Sequence, residues 1–453
     1  MLHAMQTSDA HAMIRFGFGP RAGESPVPDP KTWLAAQVRG PDPARFPATL
    51  PSTADGLVML REQRRLRPPP GASLVRPLLQ AEQAAQLRLL LDGPAPFRER
   101  LVWFWANHFT VSTRKAATVP LAGAFVREAI RPNVNRRFVD MLLAVMRHPA
   151  MLLYLDNAGS VGPHSPAGLR RGRGLNENLA RECLELHTLG ARAGYSQTDV
   201  TSFAAILTGW SVDMRSPEPG FIFRAGAHEP GDKAVLGRIF PEGEAGGVLA
   251  IGFLASHPAT CRHLAGKLAT HFIADTPAPA QIDRLAGILA DSQGDLEAVS
   301  LALLDMSQAW QPGSKFRTPL DYAVAILRAL GAGGGADAGG GGGAAAAEAG
   351  RGDAAWALAA LLRRLGQPVW QAPLPDGWAD SAAAWSGPDA VLARIDASYE
   401  LSGGAPPDLE PAAIAAASLG PLLSPRTLAA MRQAGSRRDA LTLLFSSPEF
   451  QRR

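Results

Sequence analysis

Cysteine is nearly absent from this chain: Cys183 and Cys261 are the only two, so no disulfide framework is implied. Both fall on apolar sides of expected helices, where small buried thiols are common. Lysine is almost as scarce, at positions 31, 115, 233, 267 and 315 alone, and arginine carries the rest of the small basic excess of +4. The arginine runs RRGRG (170–174) and REQRRLR (61–67) are short and not interleaved with aromatics. They read as solvated loop or helix faces, and no nucleic-acid partner is expected. No run of 18 apolar residues occurs, so no transmembrane segment is expected. The N-terminus MLHAMQTSDAHAMIRFGFGP lacks a basic region, an apolar core and a cleavage site. A cytoplasmic location is therefore expected, with export open if translation starts upstream. Cysteine-rich zinc spacings, a P-loop, a GxGxxG after a strand and a GxSxG elbow are all missing, which argues against the common nucleotide, zinc and α/β-hydrolase classes.

What is present is a globular composition, 46% hydrophobic and 19% charged over 453 residues. Apolar residues recur at three- and four-residue steps through LLQAEQAAQLRLLLD, FRERLVWFWANHF, LAGAFVREAI and RRFVDMLLAVMRHP, so 76–156 is helical nearly throughout. HPA occurs at 148–150 and 257–259, each time opening an apolar helix, and reads as repeated capping chemistry. The one β signal is 221–236, where FIF and AVL flank the turn-rich AGAHEPGDK. The pattern predicts a mainly α, multi-helix globular array with one small β-hairpin. Residues 12–330 form a main helical domain, 331–353 (GAGGGADAGGGGGAAAAEAGRGD) a Gly/Ala-rich flexible linker or loop insertion, and 354–450 a C-terminal helical part packing on the main domain.

The densest polar row lies in GLNENLARECLELHTLGARAGYSQTDV, 174–200. Asn176 is suited to cap a helix that Gly190 stops, and Ser196 with Asp199 makes a capping box for the next one. Leu175, Leu179, Cys183, Leu184 and Leu186 share one side; Asn178, Arg181, Glu182 and Glu185 share the other. Glu182 and Glu185, three apart, project from one face within about 5–6 Å at Cβ. Such a pair can bind a hard divalent cation or work as acid and base; it can equally belong to a salt-bridged surface helix with Arg181 and Glu177. His187, about 140° around from Glu182, cannot ligate the same ion from an undistorted helix. His108 in WFWANHFT sits among aromatics that desolvate it, as a neutral ligand or base, or as a core histidine tied to a carbonyl. His228, Glu229, Asp232 and Lys233 crowd into HEPGDK, a polar loop or a solvated turn. His257, Arg262, His263, Lys267 and His271 mark a basic side of the 259–273 helix. Trp370, Trp378 and Trp385 are either stacking platforms or wedges between helices.

Several of these blocks carry a resemblance. NENLARECLELHTLG with GYSQTDV and LTGW, together with WANHFTVS, HPAMLLYLDN, FIFRAGAHEPGDKAVLG and HPATCRHLAGKLATHF in that order, closely resembles a bacterial family known as domain of unknown function 1800. The likeness spans roughly residues 12–450. Members usually have Asp where this chain has Glu229, which puts strict coordination geometry at that loop in doubt. Family members often look exported, and they look like genomic companions of a sulfatase-like family, domain of unknown function 1501, which implies a protein partner of that kind. Two functions follow as expectations. The first is a binding or accessory protein with a polar cleft built from the signature helix, the 221–237 hairpin and His108. The second is a metal-assisted or acid/base hydrolase in which Glu182, Glu185 and His228 are catalytic or hold a divalent metal, with Arg181, Asn178, His108 and Lys233 contacting substrate.

Overall fold

The computed structural model describes residues 6–25, 27–69, 71–172, 174–332 and 344–453. Proline sets the start of much of it: Pro30, Pro96, Pro149, Pro258, Pro279, Pro319, Pro388, Pro411 and Pro425 each open a helix. At that position the missing N–H has no intrahelical partner to lose. Both HPA repeats are caps, as expected. His148 Nδ1 accepts from the Ala150 N–H at 3.1 Å, and His257 Nδ1 accepts from the Ala259 N–H at 3.2 Å. Ser196 and Asp199 form the reciprocal box that starts the Gln197–Leu207 helix. Cys183 and Cys261 are buried free thiols. Among the described residues no helix is long and apolar enough to cross a membrane.

The fold is mainly α, as expected, and its small β structure is two short antiparallel hairpins in place of one. Strand β1 (Trp210–Asp213) pairs antiparallel with β2 (Gly220–Phe223), and β3 (Lys233–Val235) with β4 (Arg238–Phe240). The expected strands at FIF and AVL therefore do not pair with each other. Leu236 and Gly237, at φ +50° and +75°, make the left-handed two-residue turn that closes β3 directly on β4. Between the two hairpins, Ala225–Ala227 forms a 3₁₀ turn just before Pro230. Residues 333–343 of the Gly/Ala-rich stretch lie outside the described residues. Its alanine-rich end is already helical, in a helix spanning Ala344–Arg364, as the high helix propensity of alanine favours.

Two apolar cores meet along one seam. The first runs from Phe16 and Phe97 through Trp105, Met141, Leu184 and Phe203 to Leu264 and Leu289. In the second, Leu87 and Ile326 pack with Leu358, Leu362, Leu441 and Phe445. Trp370 packs against both.

A buried charge network ties the seam together. Asp321 sits between two arginines, Arg100 (2.9 Å) and Arg453 (3.0 Å), and all three side chains are almost wholly buried. Arg453 also reaches Asp380 (3.3 Å), which holds His271 Nδ1 at 2.7 Å. Arg15 donates to the carbonyls of Phe272 (2.7 Å) and Arg453 (2.8 Å). Burial works against the charge on Asp321, but Arg100 and Arg453 outweigh it and hold the carboxyl far below the usual range. Asp380 is held down at about 2 against its burial, by His271 and then Arg453.

Two outcomes follow. Asp321→Asn leaves two buried guanidinium groups without their shared counter-charge and is expected to destabilise the protein by about 3–5 kcal/mol in urea unfolding. A loss under about 1 kcal/mol would show that the network is not structural. Because the folded pKa values of Asp321 and Asp380 are depressed, their contribution is full above about pH 4 and lost as pH falls toward 2. The urea midpoint should drop across that window, and drop less in Asp321→Asn.

Candidate functional site

The signature helix caps as expected at its start and departs from expectation at its end. Asn176 Oδ1 accepts from the Asn178 N–H (2.9 Å), and an α-helix covers Asn178–Glu182. It then widens into a π turn over Cys183–His187 before Gly190, at φ +88°, turns the chain away. Leu179, Cys183 and Leu184 are buried, as their spacing predicts. Arg181 pairs with Glu177 at 2.8 Å and also reaches Gln197. The wide final turn leaves carbonyls facing outward, and side chains from two other helices take them. His263 Nε2 meets the Leu186 carbonyl at 3.0 Å, and His108 Nε2 meets the His187 carbonyl at 3.2 Å.

Those two histidines stand at the edge of a cavity of about 1100 Å³ along the seam between the cores. Its walls come from the end of the Pro96–His108 helix (Trp103, Phe104, Asn107, His108) and one face of the Pro258–Phe272 helix (His263, Lys267, His271). Arg192 and the loop after the signature helix add to them, as does the Pro/Trp segment with Trp370, Asp376, Trp378 and Asp380. The Pro/Trp segment is pinned by a two-way clamp. Asn107 Nδ2 donates to the Trp378 carbonyl (2.9 Å), and its Oδ1 accepts from the Trp378 N–H (2.8 Å). Gly377, at φ +82°, lets the backbone approach this close: a Cβ there would stand 2.5 Å from the Asn107 carbonyl oxygen.

The electrostatics follow from the hydrogen bonds. A carbonyl can only accept, so His108 and His263 carry their protons on Nε2. Burial depresses both imidazoles, and Lys267 is the strongest charge acting on each, so both are neutral with Nδ1 as a lone pair. His108 Nδ1 is buried without a partner among the described residues. His187, with its ring centroid 6.0 Å from His108, is depressed to about 3 by burial and then Lys267; neither of its nitrogens has a partner among the described residues. Lys267 itself makes no hydrogen bond and no ion pair among the described residues. Burial lowers its ammonium to about 8, and Asp376 and Asp380 only partly offset this.

The sequence-predicted residues are divided among separate places. His108 lines the cavity; Asn178, Arg181, Glu182, Glu185, His228 and Lys233 do not. Glu182 is half-buried, and burial followed by Glu185 raises its carboxyl; Asp376 adds to the rise from the cavity side. His228 is held away from them. Its Nδ1 is 2.8 Å from the Thr208 carbonyl, its Nε2 accepts from the Gly243 N–H (2.9 Å), and Lys233 caps the Glu229 carbonyl beside it. The β3–β4 hairpin docks on the Gln197–Leu207 helix, where Asp199 accepts from the Leu236 N–H, rather than folding over the signature helix. Among the described residues no group of three or more His, Cys, Asp or Glu is arranged to hold a metal ion. Lys267, His263 and the tryptophans enter the site only here. The signal for them was the four-residue spacing of 263, 267 and 271, whose partner segment lies about a hundred residues away.

Asn107→Ala removes both bonds to Trp378 and is expected to destabilise the protein by about 1–3 kcal/mol, roughly that of two buried backbone groups left unpaired. It should also speed proteolysis within 369–385. Unchanged cleavage there would contradict the clamp.

No curated protein and no solved structure matches the chain. The family model described as "Protein of unknown function (DUF1800)" matches residues 11–452, and the chain belongs to that family.

Proposed function

We propose that this protein binds a small organic molecule with a flat, apolar body in the cavity between Trp103, Trp370 and Trp378, with Lys267 facing it. The observation that carries this reading is the combination in one cavity of about 1100 Å³: aromatic side chains on opposing elements and an amine that makes no hydrogen bond or ion pair among the described residues. Indole faces supply dispersion and apolar contact, while a desolvated charge fixes orientation. In the accessory role implied by the family resemblance, the chain would hold such a ligand for a sulfatase-like partner.

A second reading, acid/base chemistry by Glu182 and Glu185, is favoured by the upward shift that burial and then the neighbouring Glu185 give the Glu182 carboxyl. The separate placement of His228 takes the third member away from that pair, so the cavity is the better-supported site.

The probe 8-anilinonaphthalene-1-sulfonate joins a flat aromatic body to one negative charge. It is expected to bind the folded protein saturably at one site. Trp378→Ala and Lys267→Met should each weaken it about tenfold, equivalent to about 1.4 kcal/mol. Absence of saturable binding, or wild-type affinity retained in both variants, would overturn the reading.

A further inference from the structure

We propose that Lys267 is an imine-forming lysine: its amine condenses reversibly with an aldehyde or ketone carried on the flat apolar molecule that the cavity holds, an inference that rests on the ligand-binding reading above.

The five lysines make the contrast internally. Lys31 pairs with Asp305 (3.6 Å), and Lys115 with Asp156 (2.6 Å) and the Tyr154 carbonyl. Lys233 donates to the Glu229 carbonyl and lies by His228; Lys315 is tied to Asp275 and the Asp380 carbonyl. Lys267 alone has no carboxylate or carbonyl partner among the described residues, and it alone lines the cavity. An ammonium used only as structural glue is tied down as the other four are. A nucleophilic amine must keep its lone pair available, which requires desolvation and the absence of a bound carboxylate.

The groups around it fit that requirement from every side. On its own helix are His263, whose Nε2–H is spent on the Leu186 carbonyl, and His271, held by Asp380. The Pro96–His108 helix brings His108, and the signature helix brings His187, both neutral. The Pro/Trp segment brings Asp376 and Asp380, neither within ion-pair distance of Lys267, and the loop after the signature helix brings Arg192. The imidazoles therefore surround the amine without contributing either a positive charge to repel or a carboxylate to bind.

In the addition step the lysine nitrogen forms a bond to the carbonyl carbon, and the π pair moves to oxygen. A proton then passes from nitrogen to that oxygen, and the buried His108 Nδ1, without a hydrogen-bond partner among the described residues, is one cavity-lining lone pair that can carry it. Loss of the hydroxyl with a second proton forms the C=N bond. The two amine hydrogens leave with the carbonyl oxygen as one water, and hydrolysis reverses the step. His108 acts here as the proton carrier of the condensation.

The test uses the full chain with trans-cinnamaldehyde, a flat uncharged aldehyde, followed through tryptophan quenching and trapped with sodium cyanoborohydride before peptide mass spectrometry. Lys267 is expected to be alkylated at least tenfold faster than exposed Lys31. Lys267→Arg, folded by circular dichroism, should lose that label. His108→Gln retains a donor for the His187 carbonyl and removes the lone pair; it should slow labelling several-fold while quenching by the probe persists. Saturable quenching with Lys267 labelled no faster than Lys31 would overturn the imine and leave the binding reading standing. Absence of both signals would overturn both.

Discussion

One carboxylate shared by two buried arginines holds this molecule together. Asp321 meets Arg100 from the Pro96–His108 helix and Arg453 from the far end of the sequence. Through Asp380 and His271 the same chain of charges reaches the cavity. Each ion in such a network is tolerable only while its neighbours are in place. The arrangement therefore fixes how the two apolar cores meet, and the cavity lies where they meet.

Against that background of paired charge, the unpaired groups stand out. His108, His187 and His263 are neutral because burial disfavours their charged forms, and two of them are oriented by carbonyls that the π turn of the signature helix leaves outward. The polar helix thus acts on the cavity through its backbone, while Glu182 and Glu185 are not among the residues that line it. Lys267 sits in the same desolvated region, one helical turn after His263, with no carboxylate within ion-pair distance among the described residues. The cavity combines aromatic walls, neutral imidazoles and one available amine, a set suited to an apolar ligand.

What was legible in the sequence is what local chemistry decides. The caps at Asn176, His148, His257 and Ser196, the stop at Gly190 and the buried cysteines all follow from residue type and short spacing. His108 was readable as a desolvated imidazole because its aromatic neighbours are adjacent in sequence. Its bond to residue 187 was not, since it depends on a π turn and on packing between helices about eighty residues apart. The strand pairing was misread for the opposite reason: Leu236-Gly237 is a turn that ordinary β-hairpin signals do not flag, as leucine rarely takes a positive φ. The meeting of Lys267 with Trp378 and Asp376 depends on the Asp321 network and the Asn107 clamp, neither of which leaves a local pattern.

The most direct test is a heteronuclear NMR titration of the lysine side-chain signals, practicable because the chain has only five lysines. Assigned by Lys267→Arg, the Lys267 resonance is expected to titrate with a midpoint of about 8, below the ordinary lysine value of 10.5. A midpoint at or above the ordinary 10.5 would mean that the ammonium is solvated or paired, and would contradict the account.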